Sequence, residues 1–182
     1  MKKPFAFVVL LLVSLTSVRA AQRPPLSETD IVDIAQILKL EDTRQFDEPA
    51  LTRLLASKHP EVKRRAVVAA GRIVNPGGSA LLLPLRKDPN AEIVATVAFA
   101  AGQLKDASSV AWLGELLSTG ATPSPVKFEA ARALGKIRTP EAWGALAAYL
   151  TSPRGNSATS AVVGEALLSI GRFQTRDRKS VV

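Results

Sequence analysis

The chain has no cysteine, a single histidine and a single methionine, and aromatics make up only 5% of its 182 residues. Without cysteine there are no disulfides, no thiol nucleophile, no cysteine zinc site and no lipid-bearing N-terminal cysteine. His59 stands alone, too little for the multi-histidine sets that hold catalytic metals. No Ser/His/Asp set, Gly-rich phosphate loop or zinc spacing can be assembled from the remaining residues, so neither a catalytic residue, nor a cofactor, nor a metal is expected. With few aromatics, burial falls to Ala, Leu and Val, since apolar residues still reach 47%. Small side chains of this kind suit thin helices packed closely.

The formal charge of +8 invites a nucleic-acid or anionic-surface reading. Its distribution argues against one. Residues 1–20 carry Lys2, Lys3 and Arg19, and residues 172–182 carry Arg172, Arg176, Arg178 and Lys179 against Asp177, which is +3 at each end. Residues 21–171 hold 17 basic side chains against 15 acidic ones, a net of +2. That balance, without aromatics to stack on bases, makes nucleic acid an unexpected partner.

Lys2 and Lys3 precede an apolar run from Phe5 to Val13, and Val18-Arg19-Ala20 supplies small residues before a cut. This is the order of a secretory signal peptide, expected over residues 1–20, with cleavage after Ala20 or Ala21. The run is shorter than the roughly 20 residues that span a bilayer, so no stable membrane anchor is expected after cleavage. An exported protein, periplasmic or secreted, follows. Residues 21–27, with Pro24-Pro25, read as a disordered leader.

The most informative feature is a phrase that recurs four times: Ala-Ala-Gly-Arg-Ile ending at Ile73, Ala-Ala-Gly-Gln-Leu at Leu104, Ala-Leu-Gly-Lys-Ile at Ile137 and Ser-Ile-Gly-Arg-Phe at Phe173. Its glycines Gly71, Gly102, Gly135 and Gly171 are 31, 33 and 36 residues apart by subtraction, a period that marks stacked supersecondary units. Glycine inside a helix costs about 1 kcal/mol against alanine, so four at one phase need a recurrent reason. Close approach of the helix to its neighbour in the next unit supplies it. The expected helices are about 28–40, one starting at Asp47, then 59–74, 79–87, 91–104, 107–118, 125–137, 140–150 and 159–173. Each glycine lies on the second helix of a hairpin.

Val62-Lys63-Arg64-Arg65-Ala66-Val67-Val68-Ala69-Ala70-Gly71-Arg72-Ile73, echoed by Phe128-Glu129-Ala130-Ala131-Arg132-Ala133-Leu134-Gly135-Lys136-Ile137, resembles the HEAT repeats, and more closely the short variant shared with bilin lyases. The resemblance runs from about Pro49 to Phe173 and implies an all-α fold: a right-handed α-solenoid of about four helical hairpins over residues 28–173, with an N-terminal capping helix. A bilin lyase needs a chromophore pocket with acids at its mouth, and no motif marks one. Iron-dependent HEAT-repeat hydroxylases carry several His-Glu pairs, whereas His59 is followed by Pro60 and reads as a turn residue near a helix N-cap.

Aligned on the glycines, Arg72, Gln103, Lys136 and Arg172 share one phase, and Arg65, Thr96, Glu129 and Glu165 lie two turns earlier. The first set plus Arg65 forms a candidate partner-binding ladder, suited to a carboxylate or acidic peptide, although a solvated outer face would look the same. Trp112 and Trp143 are read as core filler between Ala-rich helices. The reading is therefore a non-catalytic scaffold for a protein or peptide partner.

The last expected helix is apolar around most of its circumference and looks built to be covered. Asp177-Arg178-Lys179-Ser180-Val181-Val182 followed by a stop is what GATCGGAAGAGCGTCGTGTAG encodes, a common sequencing-adapter read. Residues 174–182 are thus expected to be a disordered tail of non-biological origin from about Asp177, with the natural gene continuing; the genomic codon after Val182 decides this. The segment Leu38-Lys39-Leu40-Glu41-Asp42-Thr43-Arg44 resembles that of secreted bacterial HEAT proteins, some of which carry a cyclophilin-type prolyl isomerase domain after the array. That resemblance implies an alternative role as the recruiting part of a larger exported enzyme.

Overall fold

A computed structural model describes residues 24–156 and 159–177, so the expected signal peptide, the start of the leader and residues 178–182 lie outside the described part. The described residues form ten α-helices and no strand: α1 (Glu28–Asp42), α2 (Glu48–Leu55), α3 (Pro60–Ile73), α4 (Gly77–Leu82), α5 (Ala91–Leu104), α6 (Val110–Ser118), α7 (Ser124–Ile137), α8 (Pro140–Thr151), α9 (Pro153–Asn156) and α10 (Ser160–Asp177). They stack as an α-solenoid of helical hairpins. The second helices α3, α5, α7 and α10 form one row, each packed on the next, and the first helices lie on the other side. The helix expected as a cap, α1, stands in the second-helix row against α3.

The two rows contribute differently. First helices supply bulk, with Leu51, Leu54, Leu113, Leu117 and Leu146 wholly buried. Each such leucine stabilises the fold by roughly 1.5–3 kcal/mol. Second helices supply closeness. Their buried faces are Ala66, Ala69 and Ala70 in α3, Ala98, Ala100 and Ala101 in α5, and Ala130, Ala131 and Ala133 in α7. A Cβ built on Gly71 would lie 2.8 Å from Ala100 Cα, and one on Gly102 would lie 2.7 Å from Ala133 Cα. One on Gly135 would overlap the Ser169 side chain. Three of the four glycines are therefore the points of nearest contact between units.

Gly171 is the exception. A Cβ there meets nothing within 4 Å, because among the described residues no helix packs on that face of α10. The phase four residues before each glycine shows the same break: Val67, Ala98 and Ala131 are buried against the next helix, while Leu167 is 57% exposed.

Several boundaries differ from the sequence reading. The helix expected over 79–87 is α4 followed by a 3-10 segment, Leu83–Lys87, because Pro84 lacks the N–H that would bond the Ala80 carbonyl. The expected turn after α8 contains α9, and the last helix runs four residues past Phe173 into the expected tail, since Gln174-Thr175-Arg176-Asp177 has no helix breaker. Residues 24–27 are held rather than loose: His59 Nε2 bonds the Pro24 carbonyl at 3.1 Å, and Ser27 forms a capping box with Asp30. On α1, Ile37 and Leu40 are buried but Ile31 and Leu38 are 56% and 50% exposed, so its outer face is less polar than a cap requires. Trp112 packs between the two halves of the core under Arg86, as expected, but Trp143 is 46% exposed and is not core filler.

The glycine contacts yield a graded prediction. Gly71→Ala and Gly102→Ala each gain about 1 kcal/mol of helix propensity but must displace backbone, an overpacking cost of about 1–3 kcal/mol, so both should lower Tm. Gly171→Ala meets no neighbour and should hold or raise Tm. Thermal melts followed by circular dichroism check the order, and equal effects at the three positions would contradict it.

Candidate partner-binding flank

The second helices end side by side, and every link out of that row is built alike. Arg44 after α1, Val74 after α3, Lys105 after α5 and Arg138 after α7 all take the left-handed conformation, with φ of 54°, 56°, 53° and 59°. Glycine is the usual choice there, because a side chain costs roughly 1–2 kcal/mol in that region. In three links the very next residue caps the following segment: Asn75 accepts from Gly77 N–H, Asp106 from Ser108 N–H and Thr139 from Ala142 N–H. One residue reverses the chain and the next starts the new helix.

This tight link places the ladder on one flank. Arg72 Nη1 donates to Glu41 Oε1 at 2.6 Å, and Arg44 donates to the Arg72 carbonyl. Lys136 Nζ donates to Gln103 Oε1 at 3.0 Å and lies 5.1 Å from the Phe99 ring centre. Arg172 donates to Glu165 Oε1 at 3.0 Å. Arg72 and Gln103 line a concavity of about 1050 Å³, shared with Leu38, Glu41, Asp42 and Arg44. Gln103, Lys136 and Arg172 line a second of about 500 Å³ together with Lys105, Arg132 and Arg138. Because Gln103 belongs to both, the four ladder residues lie along one surface. Arg65 does not join them; it pairs with Glu61 at 2.7 Å, two turns earlier on α3. The sequence reading missed Arg44, Lys105 and Arg138. The signal was present, a residue three after each packing position and followed by a polar capping residue in the last two cases.

His59 is the N-cap of α3, its Nδ1 accepting from Glu61 N–H at 3.2 Å while Nε2 engages Pro24. Both nitrogens are used structurally, and among the described residues no cluster of three His, Cys, Asp or Glu could hold a metal ion. Among the described residues, no helix is long and apolar enough to cross a membrane.

Two carboxylates on the second-helix row are pushed in opposite directions. Hydrogen bonds from Arg64, with Arg65 adding to them, hold Glu61 below its ordinary value of 4.5. Burial pushes Glu129 up, outweighing the attraction of Arg132 and Lys136, and its Oε2 is buried without a hydrogen-bond partner. A depressed carboxylate contributes stability above its ordinary pKa that is lost as pH falls through the folded value; a raised one lowers stability as pH climbs through the folded value. Glu61→Gln should thus destabilise most near neutral pH, with the deficit shrinking in acid. Glu129→Gln should be most favourable near neutral pH and lose that advantage in acid. Urea unfolding across this range checks both, and parallel pH profiles for the two variants would contradict the assignment.

Comparison with known proteins is consistent with the stack. Residues 78–168 match the family described as HEAT repeats. Among solved structures, that of human deoxyhypusine hydroxylase in complex with glycerol superposes with a TM-score of 0.60 at 22% identity, over 71% of this chain and 44% of that one. At that identity the likeness shows the fold alone, and this chain spans less than half the length of that enzyme. No curated protein sequence matches the chain. With half its length matched and its second helices nested at recurrent glycines, the chain belongs to the HEAT-repeat family.

Proposed function

We propose that this HEAT-repeat chain is an exported, non-catalytic scaffold that holds a protein or peptide partner along the flank where α1, α3, α5 and α7 end and Arg172 of α10 lies beside them. The observation that carries the reading is the continuity of that flank: two concavities meeting at Gln103, with Arg72, Lys136 and Arg172 along them. The ladder residues along it, Arg72, Gln103, Lys136 and Arg172, are cations and an amide, donors that orient a carboxylate-bearing partner. Export rests on the basic-then-apolar order of residues 2–13 and the small residues around Ala20.

A second reading, the recruiting part of a larger exported enzyme such as a cyclophilin-type prolyl isomerase, is favoured by one feature. Leu167 and Leu168 are 57% and 62% exposed on the face of α10 that, in earlier units, receives the next helix.

The primary reading is tested by immobilising the protein, passing periplasmic or secreted extract over it, and repeating with Arg72→Gln, Lys136→Gln and Arg172→Gln combined. Glutamine is chosen because a carboxylate at Arg72 would face Glu41, now 2.6 Å away from the guanidinium. A specific protein should be retained by the parent and lost at least tenfold by the variant at unchanged Tm. Equal retention by both, or no retained protein, would remove the reading.

A further inference from the structure

We propose that the concavity at the ends of α5 and α7, beside Arg172 of α10, is a site for a short acidic peptide segment, bound chiefly by Lys105 and Arg138 with Arg132, Lys136 and Arg172 around them. The proposal rests on reading the flank as a binding face and names the chemistry of what binds there. Five of the nine residues lining this concavity are cations and none is a carboxylate. The neighbouring concavity is different in kind, since Glu41 and Asp42 stand there among Lys39, Arg44 and Arg72.

Local partners do not neutralise the five charges. Glu165 engages Arg172 at 3.0 Å and Glu129 lies 3.6 Å from Arg132, both from outside the lining. Setting Arg132 and Arg172 aside with their partners leaves Lys105, Lys136 and Arg138 at +3, and two helix C-termini at about half a negative charge each still leave about +2. Among the described residues no carboxylate pairs with Lys105 or Arg138. Burial lowers the pKa of Lys136, and Arg132 and Arg172 add to the effect against Glu129 and Glu165. An arriving carboxylate would relieve that crowding.

The backbone adds a second, independent observation. Lys105 and Arg138 hold left-handed conformations that glycine would take without strain. The last turn of α7 already carries Lys136, so a cation for the helix dipole alone does not explain a strained Arg138 beside it.

The occupant is a short carboxylate-rich segment rather than a long polyanion. Outside the five site cations, residues 21–182 carry no net charge, so the rest of the chain offers no continued positive field to a polyanion extending beyond the site. Exposed backbone at helix C-termini is carbonyl, which lacks the N–H donors of phosphate sites. Lys136 already lies over a face of the nearby Phe99 ring, where a base would otherwise stack. Arginine forks and a lysine suit carboxylates directly.

The test uses fluorescein-labelled hexaglutamate titrated with the full chain at low ionic strength, followed by anisotropy. Saturable binding is expected, with at least tenfold weaker binding of hexaglutamine. Lys105→Gly combined with Arg138→Gly should weaken hexaglutamate binding at least tenfold while Tm stays level or rises, so lost binding cannot reflect unfolding. Arg64→Gln, which removes a cation paired with Glu61 outside the site, should leave binding within twofold. The proposal is overturned if the double glycine variant binds like the parent, if hexaglutamine binds as well as hexaglutamate, or if duplex DNA of equal charge binds more tightly. Failure here with a protein still captured through Arg72, Lys136 and Arg172 would remove the acidic-segment site and leave the scaffold reading in place.

Discussion

Contact between successive second helices at positions with no side chain on one partner is the constraint on which the rest of the structure depends. Gly71 accepts Ala100, Gly102 accepts Ala133 and Gly135 accepts Ser169. A packing this close leaves little apolar area per contact, so the leucines of α2, α6 and α8 must supply the bulk of burial. The division explains why a chain with few aromatics can still hold a continuous core. It also aligns the ends of α3, α5 and α7, because the residues from each glycine to its link are equal in number.

Aligned helix ends give the flank its electrostatics. Each end presents carbonyl groups, and each link turns at a left-handed residue three positions beyond the phase of the packing glycine. Arg44 and Arg138 add a cation to the one already in the last turn, and Lys105 supplies the cation that the last turn of α5 lacks. The pattern is mixed at Glu41 and Asp42 and becomes purely cationic at Lys105 and Arg138. Helix spacing and surface charge are thus set by the same short segment of each repeat.

The fold was legible in the sequence because its signal is periodic. Four glycines at a recurring interval specify units, and the alanines around them identify the thin face. The helix pairing and the place of His59 near an N-cap followed from local rules. Failures came where a neighbour decides the outcome. Gly171 belongs to the same phrase as the others, yet its role needs a helix beside α10 that the described residues do not include. Trp143 sits on a first helix like Trp112, but only Trp112 has the Arg86 side and both core halves to pack between. The candidate site was half legible: the ladder residues follow from the glycine phase, whereas Lys105 and Arg138 matter through a backbone conformation that basic residues seldom adopt, marked in the sequence only by their place three residues after the glycine and before a capping residue.

The most direct measure of the central claim is a double-mutant cycle at the third contact, where the clash lies mainly with a side chain. Gly135→Ala, Ser169→Gly and the double variant would be compared by chemical unfolding. If side-chain-free contact sets the spacing, the two substitutions couple favourably by about 1 kcal/mol or more, the double variant being more stable than the sum of the single effects. Additive effects would show that Gly135 and Ser169 do not constrain each other, and the account of the stack would be wrong.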